Sequence, residues 1–294
     1  LVGGDLQERS PVSHRKPAGL MSQVITPPKS PLDNGLAIVN GAYQTPPGKS
    51  SALGRAFPST LFYPQLTRNI FRSSAIARRG GYDDQAWIDT SANIFRALEG
   101  VGFQFDVTGL DHLARLDGPC LIVGNHMSSL ETGVLPALIR PIKPVTFVVK
   151  QALLDYPVFK HVMRARKPIA VTQTNPRLDL KTMLEDGARR LADGTSIIVF
   201  PQGARRPTFD PAQFNTIGVK LAQRSNVPII PMALLTDAWP LGWPVSDFGR
   251  LNPSRPVRFA FGEPMMVEGK GAAENAALID FIQSHLRQWG VPNV

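Results

Sequence analysis

Cys120-Leu121-Ile122-Val123-Gly124-Asn125-His126-Met127-Ser128-Ser129-Leu130-Glu131 is the stretch that decides how this chain folds. Its first five residues are an apolar run of the length of a buried strand, and a helical pattern follows from Ser129. A strand that turns directly into a helix is the building unit of an open α/β sheet. In such sheets, side chains at the carboxyl ends of the strands face the crevice where ligands bind. His126 stands at that end, and four residues separate it from Glu131. A histidine beside a carboxylate is the minimal kit for deprotonating a hydroxyl, because imidazole titrates near neutrality. The same spacing recurs at His112 and Asp117, but His112 lies in a polar stretch, residues 109–118, that reads as a loop or single turn. Context therefore selects His126 as the candidate base.

Outward from this unit, strand-like and helix-like patterns alternate from Val101 onward. The expected strands are 103–108, 120–124, 145–149, 169–171, 196–200, 229–233 and 257–261. The expected helices are 129–139, 178–192, 217–225 and 272–289. The alternation predicts a mostly parallel central sheet with helices on both faces. At the end of the fifth of these strands comes Phe200-Pro201-Gln202-Gly203-Ala204-Arg205. A glycine turn ending in arginine just past a buried strand is suited to hold an anion, with Gly203 giving the turn and Arg205 a bidentate ligand. Asn125, Lys150, Gln202 and Arg206 are further candidates for the same cleft.

Composition narrows the function classes. Hydrophobic residues make up 43% of the 294, enough for a full core. The single cysteine, Cys120, rules out an internal disulfide framework, suits a reducing compartment, and is expected to be inert in its strand. The histidines are scattered without metal-ligand spacing, so no metal is expected. The formal charge of +9 points to anionic partners. No helix-turn-helix, zinc or RNA-sheet signature is present, which leaves an anionic membrane surface and an anionic co-substrate rather than nucleic acid. No apolar run reaches about eighteen residues, so no spanning helix is expected. The start carries no secretory pattern, and its opening on Leu1 rather than Met leaves N-terminal completeness open.

Residues 1–55 are rich in Pro, Gly and Ser without a sustained apolar period, and read as a disordered tail. Pro47-Gly48-Lys49-Ser50 mimics the end of a phosphate-binding loop, but the glycine required five residues earlier is Tyr43. Residues 57–100 read as an amphipathic helix pair. Phe62, Leu66 and Ile70 recur on one face of the first helix, with Arg68, Arg72, Arg78 and Arg79 beside them. Trp87, Ile88, Ile94, Phe95 and Leu98 form the apolar face of the second. Such a cationic pair suits docking into a membrane interface, or else simply covers the core. Residues 101–294 form the α/β domain.

Four blocks in order resemble the glycerolipid acyltransferase superfamily, the enzymes that acylate glycerol 3-phosphate and lysophosphatidate. They are Asn125-His126 through Glu131, Val149-Lys150 through Pro168-Ile169-Ala170-Val171, Phe200 through Arg205, and Val227-Pro228-Ile229-Ile230-Pro231. The resemblance implies that His126 is the general base and Glu131 its orienting acid, standing where the family usually has Asp. It also implies a third block of Phe-Pro-Glu-Gly-Thr-Arg, from which Gln202 and Ala204 depart, and often an arginine after the second-block strand, where this chain has Thr172-Gln173-Thr174. The implied activity is direct O-acyl transfer, without cofactor, from acyl-CoA or acyl-carrier protein to a lysophospholipid, most simply 1-acylglycerol 3-phosphate. The implied location is cytoplasmic and peripheral to the membrane. No Gly-x-Ser-x-Gly elbow argues for an acyl-enzyme. Two alternatives remain open: a different lysolipid or amino-acid lipid acceptor, and a catalytically silent lipid-binding relative.

Overall fold

The buried apolar runs form strands in the order expected. They are β2 (Phe105–Thr108), β3 (Leu121–Gly124), β4 (Val145–Lys150), β5 (Ile169–Val171), β6 (Ser196–Val199), β7 (Ile229–Leu235) and β8 (Val257–Phe261), preceded by a short β1 (Tyr43–Gln44). The computed structural model describes residues 33–292 and 294. Among these, the strands lie side by side as β1-β2-β8-β7-β3-β6-β4-β5. β2 to β8, and β7 through β3, β6 and β4 to β5, are parallel; β1 against β2 and β7 against β8 are antiparallel. β3, β6 and β7 are buried along their whole length, as strands covered on both faces must be.

Each face has its own core. One gathers Ile122, Ile198 and Ile230 of the central strands with Phe62, Phe95, Leu130 and Leu138. These last four belong to α2 (Pro58–Arg78), α3 (Asp84–Gly100) and α5 (Ser129–Ile139). The opposite core gathers Leu121, Ile197 and Ile229 with Met183, Leu221 and Leu278, from α7 (Pro176–Ala192), α8 (Ile217–Ser225) and α9 (Ala272–Gln288). Alternate residues of each strand thus point to opposite faces, as pleating requires. Three short helices, α1 (Ala52–Ala56), α4 (Leu110–Ala114) and α6 (Phe159–Ala165), join the larger elements.

Two expectations are corrected. Residues 1–32 of the expected tail lie outside the described residues, but residues 33–55 are not a tail. Tyr43 is buried, pairs with Val107 across β1 and β2, and donates its hydroxyl to Glu99 Oε1 at 2.7 Å. Thr45 Oγ1 donates to the same oxygen at 2.8 Å, and Asn34 Nδ2 donates to the Ala137 carbonyl at 2.7 Å. A few polar anchors with distant partners hold this segment, so it shows no local periodicity. The second correction concerns the helix pair, which is part of the same core rather than a separate layer. Phe62, Leu66, Trp87, Ile88, Phe95 and Leu98 are all buried in the protein. The apolar face that seemed available to a membrane is therefore covered, while Arg68, Arg72, Arg78 and Arg79 are exposed. No described helix is long and apolar enough to cross a membrane.

Candidate active site

The turn from β3 into α5 is set by a capping box. Ser128 is the N-cap of α5, and Glu131 reaches back from the third helical position to the Ser128 N–H at 2.8 Å. The pattern Ser-x-x-Glu before an apolar helix is the sequence signature of this arrangement. The same Glu131 Oε1 accepts from Met127 N at 2.6 Å and lies 2.8 Å from His126 Nδ1. Its Oε2 accepts from Ser128 Oγ at 2.8 Å and Thr236 Oγ1 at 2.7 Å. Burial alone would raise the Glu131 pKa, but the bonds from His126, Ser128 and Thr236 outweigh it and hold the carboxyl below its ordinary value. An ionised acceptor at Nδ1 places the proton there and leaves the Nε2 lone pair to act as a base. Nε2 has no hydrogen-bond partner among the described residues. The Glu131 side chain is fully buried whereas that of His126 is 16% exposed, so the ring can be reached and its orienting acid cannot. Phe200 stacks on the imidazole at 4.3 Å and 11°, fixing the ring plane.

The Phe200–Arg206 segment packs directly onto this turn. Gln202 Oε1 accepts from the His126 N–H, and Arg206 N donates to the His126 carbonyl, both at 2.8 Å. Gly203 closes the turn, its N–H bonding the Phe200 carbonyl at 3.1 Å, with φ of +69°. That left-handed conformation favours glycine although space around it is open. Arg205 extends its guanidinium to Ser129 and to Asp247 through Nη1, and to Ser246 Oγ at 2.9 Å through Nη2. Gln202 Nε2 and Arg206 Nε are buried without a partner among the described residues.

Comparison with known proteins gives the same direction. The model of the family described as Acyltransferase matches residues 104–235. A 1-acyl-sn-glycerol-3-phosphate acyltransferase of Pseudomonas aeruginosa is 28% identical over 194 residues, covering 66% of this chain and 71% of its own length. A probable 1-acyl-sn-glycerol-3-phosphate acyltransferase of Mycoplasma genitalium is 32% identical over 120 residues, or 40% of this chain and 44% of its own. Residues 104–235 thus match the acyltransferase family, and the chain is similar to members of the glycerolipid acyltransferase superfamily. It is an acyltransferase. The fold is shared with the crystal structure of the 1-acyl-sn-glycerophosphate acyltransferase PlsC from Thermotoga maritima. That match has a TM-score of 0.62 at 16% identity and covers 82% of this chain and 98% of that one.

Seen as an acyltransferase, the chain brings together some of the residues expected at the site and uses others structurally. His126, Glu131, Gln202, Gly203, Arg205 and Arg206 form one cluster. Asn125 is buried, and its amide exchanges two 2.8 Å bonds with the backbone of Leu234, so it ties β3 to β7. Lys150 ends β4, beyond β6 from β3, exposed and outside the cluster. The arginines near the second block are engaged elsewhere. Arg166 bonds Asp84 Oδ1 at 2.9 Å and lies 5.1 Å from the Trp87 ring, and Arg164 bonds Asp155 at 2.7 Å. His112 meets Glu263 at 3.2 Å rather than Asp117. Burial raises the Cys120 thiol pKa, although Lys143 and Ser196 act the other way. No group of three His, Cys, Asp or Glu with metal-binding geometry occurs among the described residues. Thr236, Ser129, Ser246 and Asp247 were missed. They are separated in sequence from the groups they touch and carry no motif; Ser128 was missed as well, although the Ser-x-x-Glu pattern before an apolar helix was a signal that could have found it.

Proposed function

We propose that this acyltransferase moves a fatty acyl group from the thioester of coenzyme A or acyl-carrier protein to the hydroxyl of a lysophospholipid, most simply 1-acylglycerol 3-phosphate. His126 is its general base. The observation that carries this reading is the 2.8 Å contact from His126 Nδ1 to a fully buried Glu131 held by three other residues. A lipid-binding relative without catalysis has no use for such a base. His126 Nε2 takes the acceptor's hydroxyl proton as that oxygen attacks the thioester carbonyl carbon. The C–S bond then breaks, and the imidazolium returns the proton to the departing thiolate. Atoms and charge balance without a cofactor. Arg205 binds the acceptor's phosphate, for which the Asp247 carboxylate is an internal stand-in. The partnerless Gln202 Nε2 and Arg206 Nε supply further donors on the same turn. The names of the relatives in Pseudomonas and Mycoplasma support the choice of acceptor. We place the enzyme on the cytoplasmic face of an anionic membrane, as a peripheral protein.

One observation favours a second acceptor class. With Asp247 on Arg205 and with Arg164 and Arg166 engaged elsewhere, the site as it stands offers a phosphate less free charge than the family motif implies. A lysolipid with another head group, such as an amino-acid lipid, fits that balance. Purified protein given a panel of lysolipids with labelled acyl-CoA or acyl-carrier protein tests both readings. Transfer to 1-acylglycerol 3-phosphate above all others supports the first, and transfer to none removes both.

A further inference from the structure

The connection from β7 to β8 leaves the sheet as a closed excursion with an apolar tip. Gly242 N bonds the Ser246 carbonyl at 3.0 Å and Phe248 N bonds the Val245 carbonyl at 3.0 Å. At the neck the two arms touch so closely that a Cβ on Gly249 would lie 1.9 Å from the Pro240 oxygen. Trp239 Nε1 donates to the Asp247 carbonyl at 3.1 Å, and the Tyr63 ring lies 5.0 Å from that of Phe248. The excursion is therefore preformed and pinned to α2. Yet Trp243 at its tip is 93% exposed, and Leu241, Val245 and Phe248 are exposed beside it. A folded protein gains nothing by holding a tryptophan in water on a fixed turn unless something covers it.

We infer that this excursion is a docking surface for an anionic phospholipid bilayer, with Trp243, Leu241, Val245 and Phe248 entering the boundary between head groups and acyl chains. Tryptophan with aliphatic neighbours is the composition that the membrane interface selects. Charge points the same way. A cleft of about 430 Å³ at the root of the excursion is lined by Asp237, Pro240, Arg250, Leu251, Asn252 and Arg255. Asp237 is neutralised by Arg255 and Asp247 by Arg205. Arg250 has no ion pair among the described residues, so the root presents uncompensated positive charge to lipid phosphates. The position also suits a lipid substrate, and here the inference rests on the function proposed above. Asp247 and Ser246 on the returning arm touch Arg205, and Ser129 beside them opens the helix that follows His126. A bilayer seated on the excursion thus lies next to the site that must receive the acceptor. The excursion falls outside residues 104–235 that match the family.

The test uses the whole protein with phosphatidylglycerol-containing vesicles, reading co-sedimentation and tryptophan emission. The expected result is a blue shift on vesicle binding that Trp243→Phe abolishes while binding is largely kept. Trp243→Ser with Leu241→Ser should lower partitioning by roughly tenfold or more, since withdrawing even one of these two large apolar groups from lipid is worth about that much. Unchanged melting temperature in both variants shows that the fold survives. The same variants should acylate a detergent-dispersed acceptor at the normal rate. Vesicle binding that ignores Trp243 and Leu241, or that depends on Arg68 and Arg72 alone, overturns the inference. So does a concentration-dependent dimer that the serine variant dissociates, since a second copy would then cover the patch. If Trp243-dependent vesicle binding persists without acyl transfer to any lysolipid, the proposed function fails and the docking surface stands.

Discussion

The β3–α5 turn and the Phe200–Arg206 segment meet at one site, but they are built differently. In the first, every polar atom of Glu131 is bound, its partners come mainly from the same six residues, and the strand before it is buried. In the second, two buried nitrogens lack partners among the described residues and the guanidinium of Arg205 is shared with Ser246 and Asp247 of the β7–β8 connection, 41 and 42 residues further along the chain. In the function proposed above, the group that transfers a proton is fixed by local capping and tautomer control, and the group that recognises an anion is left with removable partners. The difference separates chemistry from selection, and it can be broken by mutation.

The largest effect should follow from the rigid side. His126→Ala removes the proposed base and is expected to lower turnover by roughly 10²–10⁴-fold, the usual contribution of general base catalysis. His112→Ala should leave turnover nearly normal, because His112 pairs with Glu263 on another part of the surface. Steady-state kinetics on both variants decide the point, and near-normal turnover in the His126 variant removes the mechanism.

Glu131→Gln comes next, with an expected loss of about 10²-fold or more in turnover, because the neutral amide neither enforces the Nδ1–H tautomer nor stabilises the imidazolium. Glu131→Asp should retain more activity, in keeping with the family's usual residue. The same carboxyl makes a pH prediction whose sign is fixed. Its folded pKa lies below the unfolded value. It therefore contributes stability that is fully present above the ordinary carboxylate range and lost as pH falls through the folded value. Acid unfolding of the Gln variant should lack that contribution. If Glu and Gln give equal turnover, Glu131 is only the cap of α5.

On the recognition side the effect should be smaller and should appear in a different constant. Arg205→Ala is expected to raise KM for a phosphate-bearing acceptor, with a total cost of about 1.5–3 kcal/mol for a lost charge-assisted contact. A loss confined to kcat would place Arg205 with the chemistry and erase the contrast.

The same contrast explains what could be read from sequence. The central strands and α5 were legible because parallel strands buried on both faces are apolar throughout, and because a helical pattern follows the strand from Ser129. His126 was legible for its place at the end of such a strand. Residues 33–45 were not, since Asn34, Tyr43 and Thr45 dock through Ala137 and Glu99, partners far along the chain. The apolar faces of α2 and α3 were read correctly as apolar, but periodicity does not say whether lipid or protein covers them. Thr236 and Asp247 carried no signal, because a single polar residue acquires meaning only when the fold brings it to Glu131 or Arg205.

Asp247 offers the smallest and most discriminating test. Its carboxylate accepts from Arg205 and from Ser129 Oγ, the latter at 2.6 Å, yet its side chain is 55% exposed. An ion pair that open contributes about 0.2–1 kcal/mol, so a substrate phosphate can displace it. Asp247→Asn keeps the size and the hydrogen-bonding reach but removes the competing charge. For 1-acylglycerol 3-phosphate the expected outcome is a KM lowered by up to about fivefold, the range that this energy spans, with kcat little changed. For a lysolipid whose head group is neutral or positively charged overall, the variant should give no gain. A higher KM for the phosphate acceptor would instead make Asp247 a positioning residue that holds Arg205 in its binding pose. Equal KM values for both acceptors would detach Arg205 from head-group selection and leave recognition to the donors on Gln202 and Arg206.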